Sequence, residues 1–308
     1  MNRRLTKILI VIWVIIAITA SCFLVYGIRY KGIKGFSFEN RFGEANIIQK
    51  DENIAIKGYD NINIDFPSSD IFVSTTDGNG LKVVQKASTN LKDAEKFIVD
   101  RQNNSIVIRK NSNRVFNIFD FGNFNEKIEL YIPKNYTKNL NIHVASGDIT
   151  FNSDIKLNDI ECSQSSGDFH VNNSITGSNI YIKSISGDIT AEKLNSKHYD
   201  IHATSGDLDI NSISGSGNVK TISGDVKINY SGINEYSNMS STSGDINLIV
   251  PENMSFEFDG NCTSGNVNAN FPLNYQNERK SRASAKVGSG PYKKINANAV
   301  SGDIKISK

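Results

Sequence analysis

Ser146-Gly147-Asp148-Ile149 returns unchanged as Ser186-Gly187-Asp188-Ile189, Ser243-Gly244-Asp245-Ile246 and Ser301-Gly302-Asp303-Ile304. Four looser copies lie among them. The pairs shared by all eight are Gly147/Asp148, Gly167/Asp168, Gly187/Asp188, Gly206/Asp207, Gly224/Asp225, Gly244/Asp245, Gly265/Asn266 and Gly302/Asp303. Successive glycines are separated by 20, 20, 19, 18, 20, 21 and 37 residues. Self-similarity at a period near 20 marks stacked supersecondary units, and the flanking residues decide between helix and strand.

Two residues after the glycines stand Ile149, Phe169, Ile189, Leu208, Val226, Ile246, Val267 and Ile304. Four after stand Phe151, Val171, Ala191, Ile210, Ile228, Leu248, Ala269 and Ile306, with polar residues between the two sets. This period of two predicts strands with one buried face. Five before the glycine, Ile142, Cys162, Ile182, Ile201, Val219 and Met239 extend the pattern; Ala297 weakens it and Gly260 breaks it. Each copy therefore reads as strand, corner, strand, and Ile155, Ile175, Leu194 and Ile213 mark a third short segment.

Some 20 residues cannot enclose a core alone. Stacking each coil on the next buries the inward side chains, at about 1.5–3 kcal/mol apiece. The expected fold is all-β: a parallel β-solenoid of roughly 20-residue coils over 141–308, spaced about 4.8 Å apart. Glycine supplies a positive φ at the corner, and the acid accepts hydrogen bonds from turn amides. The rival reading is a calcium ladder, since stacked carboxylates repel by roughly 1 kcal/mol per pair in water. Asn266 drops that charge and the calcium-binding nonapeptide is missing, so the corners read as structural, with no metal and no cofactor. Asn152, Asn172, Asn211, Asn229 and Asn270, five past the glycine, suggest an amide stack at the next bend.

Residues 47–140 are strand-like without the repeat and are expected to form a cap on the stack or a small separate β domain. Asp70–Val73 and Leu81–Val84 flank a turn at 76–80, and Phe97–Val99 with Ile106–Ile108 suggest a hairpin around Gln102-Asn103-Asn104. The succession of Tyr59-Asp60-Asn61-Ile62-Asn63-Ile64, Ser69-Asp70-Ile71-Phe72-Val73 and Ile128-Glu129-Leu130-Tyr131-Ile132-Pro133-Lys134 leads into the SGD copies. The chain closes on Gly288-Ser289-Gly290 and Val300-Ser301-Gly302-Asp303-Ile304-Lys305-Ile306. Over about 55–308 this order resembles the bacterial family of putative adhesins of unknown function, with which LiaG-type membrane-anchored envelope proteins are grouped. The resemblance implies a β-rich extracytoplasmic solenoid in a cell envelope and carries over no catalytic residue.

Ile8–Ile28 is 21 residues without a charge, about 31 Å as a helix, enough to span a bilayer. The apolar run continues past Ala20 through Cys22, Phe23 and Leu24, which favours an uncleaved anchor over a signal peptide. Arg3, Arg4 and Lys7 are answered by Arg29, Lys31 and Lys34, so charge alone leaves orientation nearly tied. Likeness to a signal anchor places 1–7 in the cytoplasm and the part beyond the 29–46 linker outside. The net charge of +2 over 308 residues provides no basic field for nucleic acid.

Cys22, Cys162 and Cys262 fit neither a disulfide framework nor a metal spacing. His143 and His202 take the same outward position three coils apart, too far to share a metal. No nucleophile elbow, phosphate loop, H-E-x-x-H or C-x-x-C occurs. The 37-residue interval holds Arg279, Lys280, Arg282, Lys286, Lys293 and Lys294, read as a solvated basic loop. The expected function is a non-enzymatic envelope adhesin or scaffold, with an envelope protein or wall polymer as partner. An accessory role in envelope-stress sensing and a polysaccharide-active β-helix enzyme are the alternatives.

Overall fold

The computed structural model describes residues 44–111 and 125–308; the expected span at 8–28, the tail before it and most of the linker lie outside the described residues. Among the described residues one 3-10 turn, Asp93–Glu95, interrupts an otherwise all-strand chain, and no helix there is long and apolar enough to cross a membrane.

The alternation seen in the sequence becomes a three-sided coil. Strands leading into the glycine corner form one parallel sheet: Asp159–Ser166 lies between Asn139–Ser146 and Phe169–Ser186, with Cys162 opposite both Ile142 and Ile182. Strands leaving the corner form a second, in which Phe169 faces Ile149 on one side and Ile189 on the other. The third side aligns Ile155, Ile175, Leu194 and Ile213. We call the first two sheets the leading and trailing faces.

Of the sixteen trailing positions read as inward, fifteen are buried and Ala269 is half-buried against the core. The break at Gly260 is filled from its own strand: a Cβ there would lie 2.7 Å from the Phe258 ring, which occupies the space an aliphatic residue takes in other coils. Gly217 does the same for Tyr199, whose phenol crosses it to reach Ser237 at 2.6 Å. Tyr230 bonds the same hydroxyl at 2.7 Å, so both phenols are satisfied inside an apolar coil.

The stack departs from sequence order at its end. Lys293–Ser301 inserts between Val226–Ser243 and Phe256–Ser264, and Ile304–Ser307 between Ile246–Ile249 and Val267–Ala269. The corners therefore run Gly244, Gly302, Gly265, not Gly244, Gly265, Gly302. The 37-residue interval accounts for this and is not a loop. Arg282–Val287 runs back antiparallel along Phe256–Ser264, with Asn274–Tyr275 antiparallel outside it. That reversal returns the chain to the start of the leading strand, from which it can enter again in parallel on the inner side.

A second correction concerns the beginning. Asn61–Ser68 pairs in parallel with Asn139–Ser146, and Asp70–Thr76 with Ile149–Phe151, so Ser68-Ser69-Asp70 is a ninth corner. The solenoid starts near residue 61, within the segment read as cap. The turn at 76–80 does not close a hairpin, because Glu126–Pro133 lies between Asp70–Thr76 and Gly80–Ala87. The hairpin expected around Gln102-Asn103-Asn104 is present as Phe97–Gln102 against Ser105–Lys110. Ile47–Ala55 pairs antiparallel with Gly80–Ala87. Antiparallel strands thus flank the coils at both ends, and Lys50, Asp51 and Glu52 put charge on an outer strand, which discourages pairing with another chain.

Cys162 and Cys262 are free and buried. With the inserted coil they stand six steps apart in the stack, roughly 29 Å at the usual strand spacing, far beyond disulfide reach.

Candidate functional site

All sixteen corner residues fall on one edge of the solenoid, where glycine is required twice over. The φ angles of the eight glycines lie between 119° and 139°, which residues with a Cβ rarely adopt. The corners also approach closely: a Cβ on Gly187 would sit 1.9 Å from the Gly167 carbonyl oxygen. Gly167 N–H donates to Ser186 O at 3.1 Å and Phe169 N–H to Asp188 O at 2.8 Å, a pattern that recurs at each step.

The aspartates complete the corner. Asp148 N–H donates to Asp70 Oδ1 at 3.1 Å, and Asp168 N–H to Asp148 Oδ1 at 2.8 Å. The same 2.8 Å bond joins Asp188, Asp207, Asp225, Asp245, Asp303 and Asn266 in turn to the carboxylate before. Each of these Oδ1 atoms thus faces a backbone amide, and a charge-assisted bond offsets part of the repulsion between stacked acids. Burial is the largest influence on Asp70 and raises its pKa, against the pull of the Asp148 amide. No group of three or more His, Cys, Asp or Glu side chains among the described residues is arranged to hold a metal ion.

The expected amide stack forms only in part. Asn172 Nδ2 donates to Asn152 Oδ1 at 2.9 Å, but Asn211 turns to Glu192 and Asn270 to Lys308 O, while Asn229 Oδ1 is buried without a partner. Asparagine ladders stand instead on the leading face, as Asn61–Asn139–Asn158 and Asn218–Asn238–Asn296.

That face carries three outward rows parallel to the solenoid axis, which the repeat hid because they vary from copy to copy. Four residues before the corner, Ser163, Lys183, His202, Lys220 and Ser240 stand in register on consecutive coils. Six before, the row reads Glu161, Tyr181, Asp200, Asn218 and Asn238. His202 Nε2 lies 2.9 Å from Asp200 Oδ1, and its ring is 6.1 Å from that of Tyr181. Two before the corner, Ile185, Ile222 and Val300 are 45, 48 and 52% exposed, with Thr204 between the first two. His143 is on the basic row but beyond Ser163, to which it bonds at 2.9 Å; His170 is on the trailing face beside Thr190. The signal that would have found these rows is the fixed offset from the glycine, read outward as well as inward.

A family model described as Toastrack DUF4097 matches residues 59–307. The chain belongs to that family. The Toastrack match begins just before Asn61, where the first coil begins, and so includes the corner at Ser69. Among solved structures, a Parabacteroides distasonis protein named a putative lipid-binding protein is 16% identical, with 84% of this chain and 96% of that one covered, at a TM-score of 0.48. A Bacteroides fragilis putative adhesin is 14% identical over 83% and 96%, at 0.47. A Clostridium sporogenes putative cell adhesion protein is 13% identical over 84% and 97%, at 0.32. No curated protein matches the chain.

Proposed function

We propose that this Toastrack protein is a non-enzymatic, adhesin-like scaffold of the cell envelope, of the SGD-repeat, LiaG-type kind, held by one span at 8–28 with its solenoid outside the cell. The observation that carries the reading is the distribution of chemistry. Outward side chains lie in rows along the coils, as on a surface that meets an extended partner, and do not converge on a reacting centre. An open depression near the first coils is lined by Thr75, Lys134, Tyr136, Ser153, Asp154 and Lys156 among others; it has one carboxylate and no histidine or cysteine. Ser153 there accepts the Thr75 amide at 2.7 Å, and its hydroxyl also pairs with that of Thr75 at 3.2 Å. That is poor material for acid–base or nucleophilic catalysis.

Two measurements test the reading. Protease added to intact cells should digest the solenoid without lysis; digestion only after lysis would place it inside and overturn the envelope role. The full chain in non-ionic detergent should co-sediment with purified envelope fragments and leave them chemically intact. Release of soluble glycan from them would establish an enzyme instead.

A further inference from the structure

The leading face has more definite chemistry than a scaffold requires. We propose that its central rows bind a linear polyuronate, a polysaccharide with a carboxylate on each sugar, laid along the solenoid axis; the proposal rests on the binding role above and names its ligand. Lys183, His202 and Lys220 are opposite one another on three consecutive coils, so nitrogen-bearing side chains recur at about 4.8 Å. One pyranose with its glycosidic oxygen advances a glycan chain by a similar length. A polymer in this register brings the carboxylates of alternate sugars, which face one side of an extended glycan, to Lys183 and Lys220, and sets the sugar between them over the His202–Asp200 pair.

The flanking rows supply the rest of sugar recognition. On one side Asp200 accepts from ring hydroxyls, and Asn218 and Asn238 both accept and donate. Tyr181 offers a ring face there, and its neighbour His202 is held by Asp200. On the other side Ile185, Thr204 and Ile222 form a β-branched ridge for the C–H faces of the sugars. Both lysines are exposed and enter no ion pair among the described residues, whereas Lys227 on the trailing face is taken by Asp209 at 2.9 Å.

Lys183 and Lys220 outnumber Asp200 on the outward leading face of these three coils, and the corner aspartates do not cancel that excess. They follow the basic row by five residues, roughly 16 Å of extended chain, against a Debye length of about 8 Å at physiological salt. A neutral glycan would leave the lysines without a role. An anionic bilayer would meet the aspartate edge along with the basic row, which argues for a narrow polymer over a flat surface.

The test measures binding of the full chain, in non-ionic detergent, to polygalacturonate, with neutral pullulan and phosphatidylglycerol in mixed micelles as competitors. Lys183→Gln with Lys220→Gln should weaken polygalacturonate binding about ten-fold, from two exposed ion pairs at the upper end of their usual worth. Lys156→Gln with Lys305→Gln, which removes equal charge from the other two sides, should change it less than about two-fold. Equal losses in the two pairs, equal binding of pullulan, or displacement by the phosphatidylglycerol micelles would overturn the proposal. Retention on envelope fragments without polygalacturonate binding would overturn this assignment and leave the scaffold role standing; loss of both would remove both.

Discussion

Replacing Gly187 by alanine isolates the tightest point of the corner ladder. The backbone there has a φ of 119°, and holding a non-glycine residue in such a region costs about 1–3 kcal/mol. The new Cβ would lie 1.9 Å from Gly167 O and 2.6 Å from its carbonyl carbon, neither of which belongs to a side chain that can swing away. Restoring van der Waals contact requires the two corners to part by about 1.5 Å. Three bonds across that gap are then lost: Gly167 N–H to Ser186 O, Phe169 N–H to Asp188 O, and Asp188 N–H to Asp168 Oδ1. At about 1 kcal/mol each, the total comes to roughly 4–6 kcal/mol. For a folded unit of this size that lowers the melting temperature by about 10–20 °C, read by circular dichroism of the full chain. Two controls separate the contributions. Gly58 has a φ of 89° with nothing within 4 Å of its Cβ position, so Gly58→Ala carries the backbone cost alone. Gly232 has an ordinary φ and open space, so Gly232→Ala should stay within about 0.5 kcal/mol of the parent. If Gly187→Ala melts with Gly58→Ala, the close approach of corners contributes nothing and the account of the ladder is wrong.

Asp188→Ala strands the Asp207 amide and should cost about 1–3 kcal/mol, Asp188→Asn less than half as much, and Asn266→Ala almost nothing because no corner follows it; hydrogen exchange at Asp207 should accelerate only in the first. Ending the chain at Gly290 removes the inserted coil with Ile295, Ile304 and Ile306, each worth about 1.5–3 kcal/mol of burial. Limited proteolysis should then cut between 250 and 290 and spare 61–249; uniform resistance would refute the insertion. Burial raises the pKa of Cys162, Cys262, Tyr199 and Tyr230, with Tyr199 pushed up to about 12. The native state therefore keeps protons that the unfolded chain releases, so this stability is complete below the unfolded values, about 8.5 for thiol and 10 for phenol, and declines as pH rises through them. Melting temperature against pH and absorbance at 295 nm should show the decline and delayed phenol ionisation; phenols that all titrate near 10 in the folded chain would contradict the burial of Tyr199 and Tyr230.

How much of this was legible in the sequence follows from what repeats in it. A buried position in a stacked coil has only the next coil's equivalent as a neighbour, so Ile149, Phe169 and Ile189 are constrained alike and the period appears. The corner glycines are constrained by φ and by close approach, and they align for the same reason. Outward side chains also stand in register, but water can satisfy each of them in place of its neighbour, which is why Tyr181, Lys183, Asp200 and Lys220 carried no periodic signal. Ser69 concealed the first corner because it lacks the glycine by which corners were recognised, although Ile64, Phe66, Ile71 and Val73 keep the spacing of the other copies. The insertion of the Gly302 coil could not be read from spacing: a 37-residue interval states that something intervenes, not on which side of the Gly265 coil the chain returns.

The ends of the ladder show why the acid is present where it is. Each Asp from Asp70 to Asp303 accepts the amide of the corner stacked next, and that bond stabilises a charge set about 4.8 Å from its neighbours. At the last corner the side chain has no amide to accept, so a carboxylate there would bring only repulsion from Asp303. Asn266 stands at that position, the one copy without the charge, and its own amide still donates to Asp303 at 2.8 Å. Placed by sequence order, Asn266 would interrupt the ladder before its final member; placed by the observed stacking, it terminates it. The exception in the motif and the exchange in coil order thus explain each other, and both follow from an aspartate whose work is to bind backbone.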